Sequence, residues 1–73
     1  MIKHTQKEIL EKYENLKDSA KLTSREMQIF ELRYGITDDI FHTLDEIARG
    51  FDLSRERIRQ IEAKVIWKLG LDD

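Results

Sequence analysis

The chain has 73 residues, contains neither cysteine nor proline, and carries 13 basic against 15 acidic residues, a formal net charge of −2. A chain this short forms one small domain with little room for a deep active-site cavity. Without cysteine there are no disulfides and no thiolate metal sites, and apolar runs of at most three residues exclude a membrane span, which needs roughly 20. We therefore expect a small cytoplasmic domain.

The charge is distributed unevenly along the chain. Residues 1–21 hold five lysines against four acids, residues 22–52 hold three arginines against seven acids, and residues 53–69 hold five basic residues against two acids. A nucleic-acid phosphate backbone responds to the local patch and not to the total charge. The net negative charge therefore leaves a nucleic-acid site within residues 53–69 open.

Four helix starts are visible as N-terminal caps. Three segments fit the capping box, in which a threonine hydroxyl and a glutamate three residues later satisfy each other's backbone amides: Thr5 with Glu8, Thr23 with Glu26, and Thr43 with Glu46. Ser54 is a fourth candidate cap, and Gly35 and Gly70 are suited to left-handed positions after helix ends. The predicted helices are residues 6–17, 24–34, 44–50 and 55–69.

The second predicted helix is apolar on two sides. Met27, Phe30 and Tyr34 share one stripe, while Ile29 and Leu32 lie on other faces. One side is expected to meet the C-terminal helices. The other side meets either the first helix, through its apolar positions, or an external helix in a groove; both readings remain open, and the apolar positions of the first helix are Ile9, Leu10, Tyr13 and Leu16.

The third and fourth helices are separated by a short link and predict a helix-turn-helix. Only Phe51, Asp52 and Leu53 are available for the connection, and Ala48 is small enough to let two helices cross closely. The simpler alternative is an ordinary packed helical hairpin.

The pattern of the fourth helix favours a nucleic-acid-reading surface. At about 100° per residue its apolar positions form one narrow stripe, consisting of Ile58, Ile61, Val65 and Leu69. The opposite face carries arginine, glutamine and glutamate, the side chains that pair with guanine, adenine and cytosine in the major groove. The alternative is a solvated charged face, but two glutamates are too few to pair all the arginines of this helix.

Four segments together resemble region four of the primary sigma factors of bacterial RNA polymerase. They are Leu22-Thr23-x-Arg25-Glu26, Leu32-Arg33-Tyr34-Gly35, Thr43-Leu44-Asp45-Glu46-Ile47, and SRERIRQIEAK at residues 54–64 followed by Lys68-Leu69. The resemblance covers about 50 of the 73 residues. In that family the helix-turn-helix binds the minus-35 promoter element, TTGACA-like, and the earlier helices attach to the flap-tip helix of the polymerase β subunit.

The resemblance implies roles for matching positions of this chain. It implies base-edge contacts from Arg55, Glu56 and Gln60, and mixed base and phosphate contacts from Arg57 and Arg59. It places Lys64 and Lys68 along the DNA backbone or at a contact with activators. It also implies phosphate contacts from Thr43 and Leu44 at the start of the supporting helix. A second set is predicted to bind a protein partner, namely Ile29, Phe30, Leu32 and Trp67.

The expected fold is all-α: a small three-to-four-helix domain with a C-terminal helix-turn-helix, of winged-helix-like or sigma region-four type, without a sheet. Residues 1–21 would form an accessory N-terminal helix and residues 22–73 the helix-turn-helix domain, within one compact unit. The resemblance implies promoter DNA and the RNA polymerase core as partners, with activators or anti-sigma factors beside them, in the bacterial cytoplasm at the nucleoid. No cofactor, metal, membrane or small-molecule substrate is expected.

The chain also departs from the family pattern. Members of the family that it resembles usually carry one basic residue where this chain has Trp67 and another near the position of Gly70. Two other functions therefore stay open beside promoter recognition: a mainly protein-binding module with weak DNA binding, and a LuxR-like output domain, although that class lacks the RERIRQIE string. An enzyme is not expected, because the only histidines, His4 and His42, have no cysteine or other nucleophile arranged beside them.

Overall fold

The computed structural model describes residues 5–19 and 21–71 and is built from helices. The elements in chain order are α1 (Gln6–Leu16), a single 3-10 turn (Lys17–Ser19), α2 (Ser24–Arg33), α3 (Leu44–Phe51) and α4 (Arg55–Lys68). The all-α prediction is confirmed, and since no strand occurs within the described ranges, no β wing accompanies the helices there. Each predicted helix is found with its ends within one residue of the expected positions. His4 and the acidic pair Asp72 and Asp73 lie outside the described residues.

The predicted caps hold the helix starts. All three threonine–glutamate capping boxes are formed with both hydrogen bonds present. At α4 the Ser54 hydroxyl accepts the backbone N–H of Arg57 at 3.0 Å. Each cap satisfies an amide that the helix itself leaves unpaired and stabilises the domain by about 1 kcal/mol.

Two of the helix ends agree with the prediction from the sequence and one differs from it. Gly35 and Gly70 have φ angles of 66° and 75°, as expected after a helix end. The end of α3 was predicted at Gly50, but Gly50 lies within the helix and Asp52 takes the left-handed position with φ 56°. Asp52 tolerates this conformation because its side chain is short and polar, and the turn is closed by the Leu53 N–H donating to the Ala48 carbonyl at 2.9 Å.

Two core clusters share α2 between them. The first joins α1 to α2 and the end of α4 through buried Tyr13, Phe30 and Val65, and the second joins α2 to α3 and α4 through Ile29, Ile47 and Ile58. The Tyr13 and Phe30 rings stack with centroids 4.8 Å apart. The apolar side of α2 that carries Phe30 is therefore covered by α1, which resolves the alternative between α1 and an external helix.

A polar contact fixes α1 on α2. The Tyr13 hydroxyl donates to a carboxylate oxygen of Glu31. Burial of the Tyr13 phenol and its hydrogen bond to Glu31 raise the pKa of this group well above its ordinary value. The phenol is therefore neutral across the physiological range and remains a donor to Glu31.

A second polar contact fixes the end of α4 to the start of α2. The buried Glu26 carboxylate accepts the Thr23 amide and the Lys68 ammonium, each at 2.9 Å. Burial alone would raise the pKa of Glu26, but the hydrogen bond from Thr23 and the pairing with Lys68 outweigh it and hold the pKa below its ordinary value. Glu26 is thus both part of a cap and an anchor for α4.

Candidate nucleic-acid interface

The geometry of α3 and α4 is that of a helix-turn-helix. The link Asp52–Leu53–Ser54 contains three residues, and Ala48 is buried where α3 meets α4. Ile58 and Ile61 project from α4 into the same cluster as Ile47 of α3. The close crossing at Ala48 and this shared cluster fix the orientation of α4.

The apolar stripe of α4 is buried as predicted. Ile58 and Val65 have no exposed surface, and Ile61 and Leu69 are also buried. The side of the helix opposite the stripe is exposed along its whole length, and Arg55, Arg57 and Lys64 beside it are exposed too. Every predicted base-contacting or phosphate-contacting side chain between residues 55 and 64 is therefore exposed: Arg55, Glu56, Arg57, Arg59, Gln60 and Lys64. We call these six side chains the reading face.

The reading face is internally paired in the free protein. Glu56 and Arg59 form an ion pair with two hydrogen bonds, and this pairing lowers the pKa of Glu56. The Arg57 guanidinium lies 3.5 Å from the amide oxygen of Gln60. Exposed pairs of this kind stabilise a protein little, so base edges and phosphates can replace them.

Glu62 is committed elsewhere and does not neutralise the reading face. Its carboxylate lies 3.3 Å from Nε of Arg33 on α2, and the same guanidinium donates to the carbonyl of His42 at 3.2 Å. Glu62 therefore ties α4 to α2 and to the loop before α3. Within the described residues, Glu56 is the remaining acid on α4.

Sequence reasoning missed Asp45, which lies beside the first residue of the reading face. Its carboxylate is 3.9 Å from Nε of Arg55 across the helix-turn-helix. The only available signal was that Asp45 occupies the first turn of α3, where acids are favoured by the helix dipole. Asp45 lies near Arg55 in the free protein without burying it, because both side chains are largely exposed.

The start of α3 carries acidic side chains beside the predicted phosphate contacts. Thr43 is exposed and Leu44 is half-buried against the helix-turn-helix cluster. The Thr43 hydroxyl is already engaged by the Glu46 amide at 3.1 Å, and two acids, Asp45 and Glu46, lie in the first turn. Their charge opposes the attraction that a helix N-terminus exerts on an anion, so phosphate contacts from Thr43 and Leu44 stay a prediction.

The two lysines of α4 that were predicted to contact DNA differ in how free their ammonium groups are to bind phosphate. The Lys64 side chain is 62% exposed, and its ammonium lies 4.0 Å from Glu26. The Lys68 side chain is 20% exposed, and its ammonium bonds the Glu26 carboxylate and also donates to the Lys21 carbonyl at 2.8 Å. Lys64 is free to turn towards a phosphate, whereas a contact from Lys68 would first have to break this anchor.

The predicted partner-binding set requires a correction. Ile29 and Phe30 have no exposed surface, because each fills one of the two core clusters, and the prediction that they contact a partner is wrong. Leu32 is half-buried and lines an apolar depression of about 330 Å³ together with Ile47 and Phe51. Trp67 is 63% exposed and remains available to a partner.

Residues 5–19 and 21–71 contain no group of three or more side chains placed to hold a metal ion. Within the same ranges no helix is long and apolar enough to cross a membrane. His42 is engaged by Asp38 at 2.9 Å in the loop before α3.

Helix α4 is polar and exposed on one side, and its apolar stripe packs against α3, to which a short link joins it. This arrangement defines a protein of the helix-turn-helix class. The chain belongs to the family "Sigma-70, region 4", whose model matches residues 20–69. The match includes α2, α3 and α4 and leaves α1 outside.

Several curated sigma factors are similar to this chain. It is 54% identical over 50 residues to RNA polymerase sigma factor SigA4 of Synechococcus elongatus, which covers 68% of this chain and 16% of that protein. It is 54% identical over 48 residues to RNA polymerase sigma factor RpoD of Neisseria gonorrhoeae, with 66% and 8% covered. The same identity and length apply to the probable RNA polymerase sigma-C factor of Synechocystis, with 66% and 12% covered. The chain thus spans less than a fifth of these relatives, and no solved structure matches it significantly.

Proposed function

We propose that this chain recognises a minus-35 promoter element, TTGACA-like, during bacterial transcription initiation. The observation that carries the proposal is the reading face on α4, exposed on one side of a helix whose other side is fully buried. Membership in the region-four family and similarity to proteins named RNA polymerase sigma factors support it. The module acts by binding and not by catalysis, in the bacterial cytoplasm at the nucleoid.

The side chains of the reading face have distinct roles in this proposal. Arg55, Glu56 and Gln60, on the first two turns of α4, contact base edges in the major groove, because recognition helices read bases with their N-terminal residues. Arg57 and Arg59 contact both bases and phosphates. Lys64 binds phosphate further along the helix and, like other backbone contacts, sets affinity and register without carrying sequence information.

Binding to matched duplexes tests the proposal. Fluorescence anisotropy with the 73-residue chain should give tighter binding to a duplex containing TTGACA than to a scrambled duplex of the same composition, at the same moderate salt. Each well-read base pair contributes about 1–3 kcal/mol of discrimination, so we expect a difference of at least about tenfold. Equal affinity for the two duplexes would reject the proposal.

The depression beside Leu32 supports attachment to a helix of RNA polymerase. Leu32 on α2 and Phe51 on α3 are half-buried and present apolar surface there, beside the core cluster that contains Ile58 and Ile61 of α4. In our proposal this surface receives the flap-tip helix of the β subunit, as an amphipathic helix enters a groove. In the same proposal residues 22–73 form the promoter-reading unit and residues 1–21 are accessory, with α1 packed on α2.

The same depression supports the second candidate function, a mainly protein-binding module for the polymerase flap, an activator or an anti-sigma factor. The two candidate functions are distinguished by how the chain binds DNA and a flap-tip peptide. In NMR titrations a flap-tip peptide should shift resonances of Leu32 and Phe51 if this surface binds protein. Peptide binding without any preference for TTGACA would favour the second function. Resonance shifts restricted to residues of other surfaces would contradict peptide binding at the depression.

A further inference from the structure

Trp67 is a large apolar side chain exposed on α4. Three large hydrophobic residues of the described chain are more than half exposed. Besides Trp67 they are Ile40 and Phe41, which are neighbours in the loop before α3. A single exposed apolar residue is common on protein surfaces and carries no meaning by itself. The position of Trp67 on the helix is what makes it informative.

Trp67 continues the reading face. It follows Gln60 by seven residues, just under two helical turns, so the two side chains project from nearly the same side of α4. Ala63, which lies between them on this side, is exposed and too small to obstruct an approaching surface. At 1.5 Å per residue, Trp67 lies about 10 Å beyond Gln60 and about 16 Å beyond Glu56 along the helix axis.

These distances place Trp67 at the edge of a groove occupied by the first turns of α4. The major groove is about 12 Å wide, and Glu56 and Gln60 lie inside it when α4 reads bases. If α4 enters the groove with its N-terminal turns first, a side chain about 16 Å from Glu56 lies at the level of the sugar-phosphate wall of the groove. We infer that Trp67 is an uncharged DNA-backbone contact, in which the indole N–H donates to a phosphate oxygen and the ring packs on deoxyribose.

The neighbouring lysines support this assignment. Lys64 precedes Trp67 by one turn and has an exposed ammonium, so phosphate is attracted to this part of the helix. Lys68, the next cation, is held by Glu26 and the Lys21 carbonyl. The last turn of α4 therefore offers no free cation within the described chain, and Trp67 is the exposed donor at that level. This inference rests on the proposed DNA-binding function and replaces the protein contact predicted for Trp67.

Trp67 is the only tryptophan of the chain, so its fluorescence reports this one position. Acrylamide quenching is measured on the wild-type chain, free and with a saturating TTGACA duplex. Contact with the backbone buries the ring, and we expect the quenching constant to fall at least about twofold. DNA binding with unchanged quenching would overturn the inference, as would protection by a flap-tip peptide in place of DNA.

Substitution separates a backbone contact from a base contact. Trp67→Ala should weaken binding to the TTGACA and scrambled duplexes equally, by about three- to tenfold, the loss expected for one hydrogen bond. The salt dependence should stay unchanged because no charge is lost, whereas Trp67→Lys should steepen the slope of log K against log salt by about 0.9. Ile40→Ala is the matched control and should leave both affinities unchanged.

The outcomes distinguish this inference from the proposed function. If the wild-type chain prefers TTGACA but Trp67→Ala binds both duplexes with wild-type affinity, the Trp67 assignment alone fails. If Trp67→Ala weakens only the TTGACA duplex, Trp67 reads a base and the backbone assignment is wrong. If the wild-type chain binds neither duplex, the proposed function fails and the Trp67 contact fails with it.

Discussion

The side chains that read DNA in this account are held in exchangeable pairs before DNA arrives. Arg59 is paired with Glu56, Arg57 lies near Gln60, and Arg55 lies near Asp45 across the helix-turn-helix. These contacts limit the rotamers of long side chains at low energetic cost. Binding then exchanges one set of hydrogen bonds for another, so less rotamer entropy is lost than for disordered side chains.

Arg55→Ala should relax the sequence preference of the chain. Removing a base contact should cost about 1–3 kcal/mol on the TTGACA duplex and much less on the scrambled duplex. Lys64→Ala is the comparison, because loss of a phosphate contact should weaken both duplexes alike and flatten the salt slope by about one. Fluorescence anisotropy titrations measure the affinity of both variants for both duplexes. Unchanged specificity in Arg55→Ala would show that Arg55 does not read a base.

Glu26→Gln should destabilise the domain in a pH-dependent way. The pKa of Glu26 is lower in the folded chain than its ordinary value, so the unfolded chain binds more protons near that value and wild-type stability falls as the pH drops through the folded pKa. At pH 7 the substitution should cost about 1–3 kcal/mol, since a charged hydrogen bond is lost. The difference between wild type and variant should shrink on going from about pH 5 to pH 3.

Urea unfolding at several pH values measures this effect. Glu11→Gln, on the exposed side of α1, is the matched control and should change stability by less than about 0.5 kcal/mol. A pH-independent difference between wild type and Glu26→Gln would contradict the role of the Glu26 carboxylate as an anchor of α4.

At the scale of elements, the DNA reading that we propose for α4 requires its inner stripe to be fixed. Ile58→Ala should reduce the free energy of unfolding by about 2–5 kcal/mol, because Ile58 is fully buried and leaves a cavity between α3 and α4. Thermal or urea unfolding followed by circular dichroism measures the loss. Ile40→Ala, an exposed site in the loop before α3, should change stability by less than about 0.5 kcal/mol. Similar small effects from both substitutions would contradict the packing described for α4.

The helices and their starts were predictable because their signals are local. A capping box such as Thr43 with Glu46 spans four residues, and the apolar stripe of α4 repeats with the helical period. The covering of Phe30 by α1 was not predictable, because periodicity shows that a side of α2 is apolar but not which neighbour packs on it. The left-handed Asp52 was also missed, because Gly50 offered the more usual helix end.

The availability of the site residues depends on contacts between distant parts of the chain. Lys64 and Lys68 look alike in sequence, but Lys68 is bound by Glu26, 42 residues earlier. Ile29 and Phe30 look like surface for a partner until both core clusters are known. Residue types and helical faces could therefore be predicted, whereas the choice between a free and an occupied side chain required the tertiary structure.

At the scale of the whole molecule, two small core clusters joined by α2 support one charged surface. A domain of this size has only a few kcal/mol of stability to lose, so α1 is important although it lies outside the family match. Its Tyr13 is fully buried against Phe30 and hydrogen-bonded to Glu31. α1 therefore stabilises the face of α2 opposite the helix-turn-helix.

DNA binding should depend strongly on salt despite the net charge of −2. Arg57, Arg59 and Lys64 are the phosphate contacts of this account, and each neutralised phosphate contributes about −0.9 to the slope of log K against log salt. We therefore expect a slope of about −3, measured by anisotropy between low and moderate salt. A slope near zero would show that the total charge, and not the local patch, governs the interaction.

The most direct test of base reading by α4 uses modified guanine in the TTGACA strand. Replacing guanine with 7-deazaguanine removes an acceptor in the major groove, and replacing it with inosine removes the amino group in the minor groove. We predict that 7-deazaguanine weakens binding by at least about fivefold, while inosine leaves the affinity unchanged. Loss of affinity with inosine alone, or no loss with either base, would contradict major-groove reading by α4.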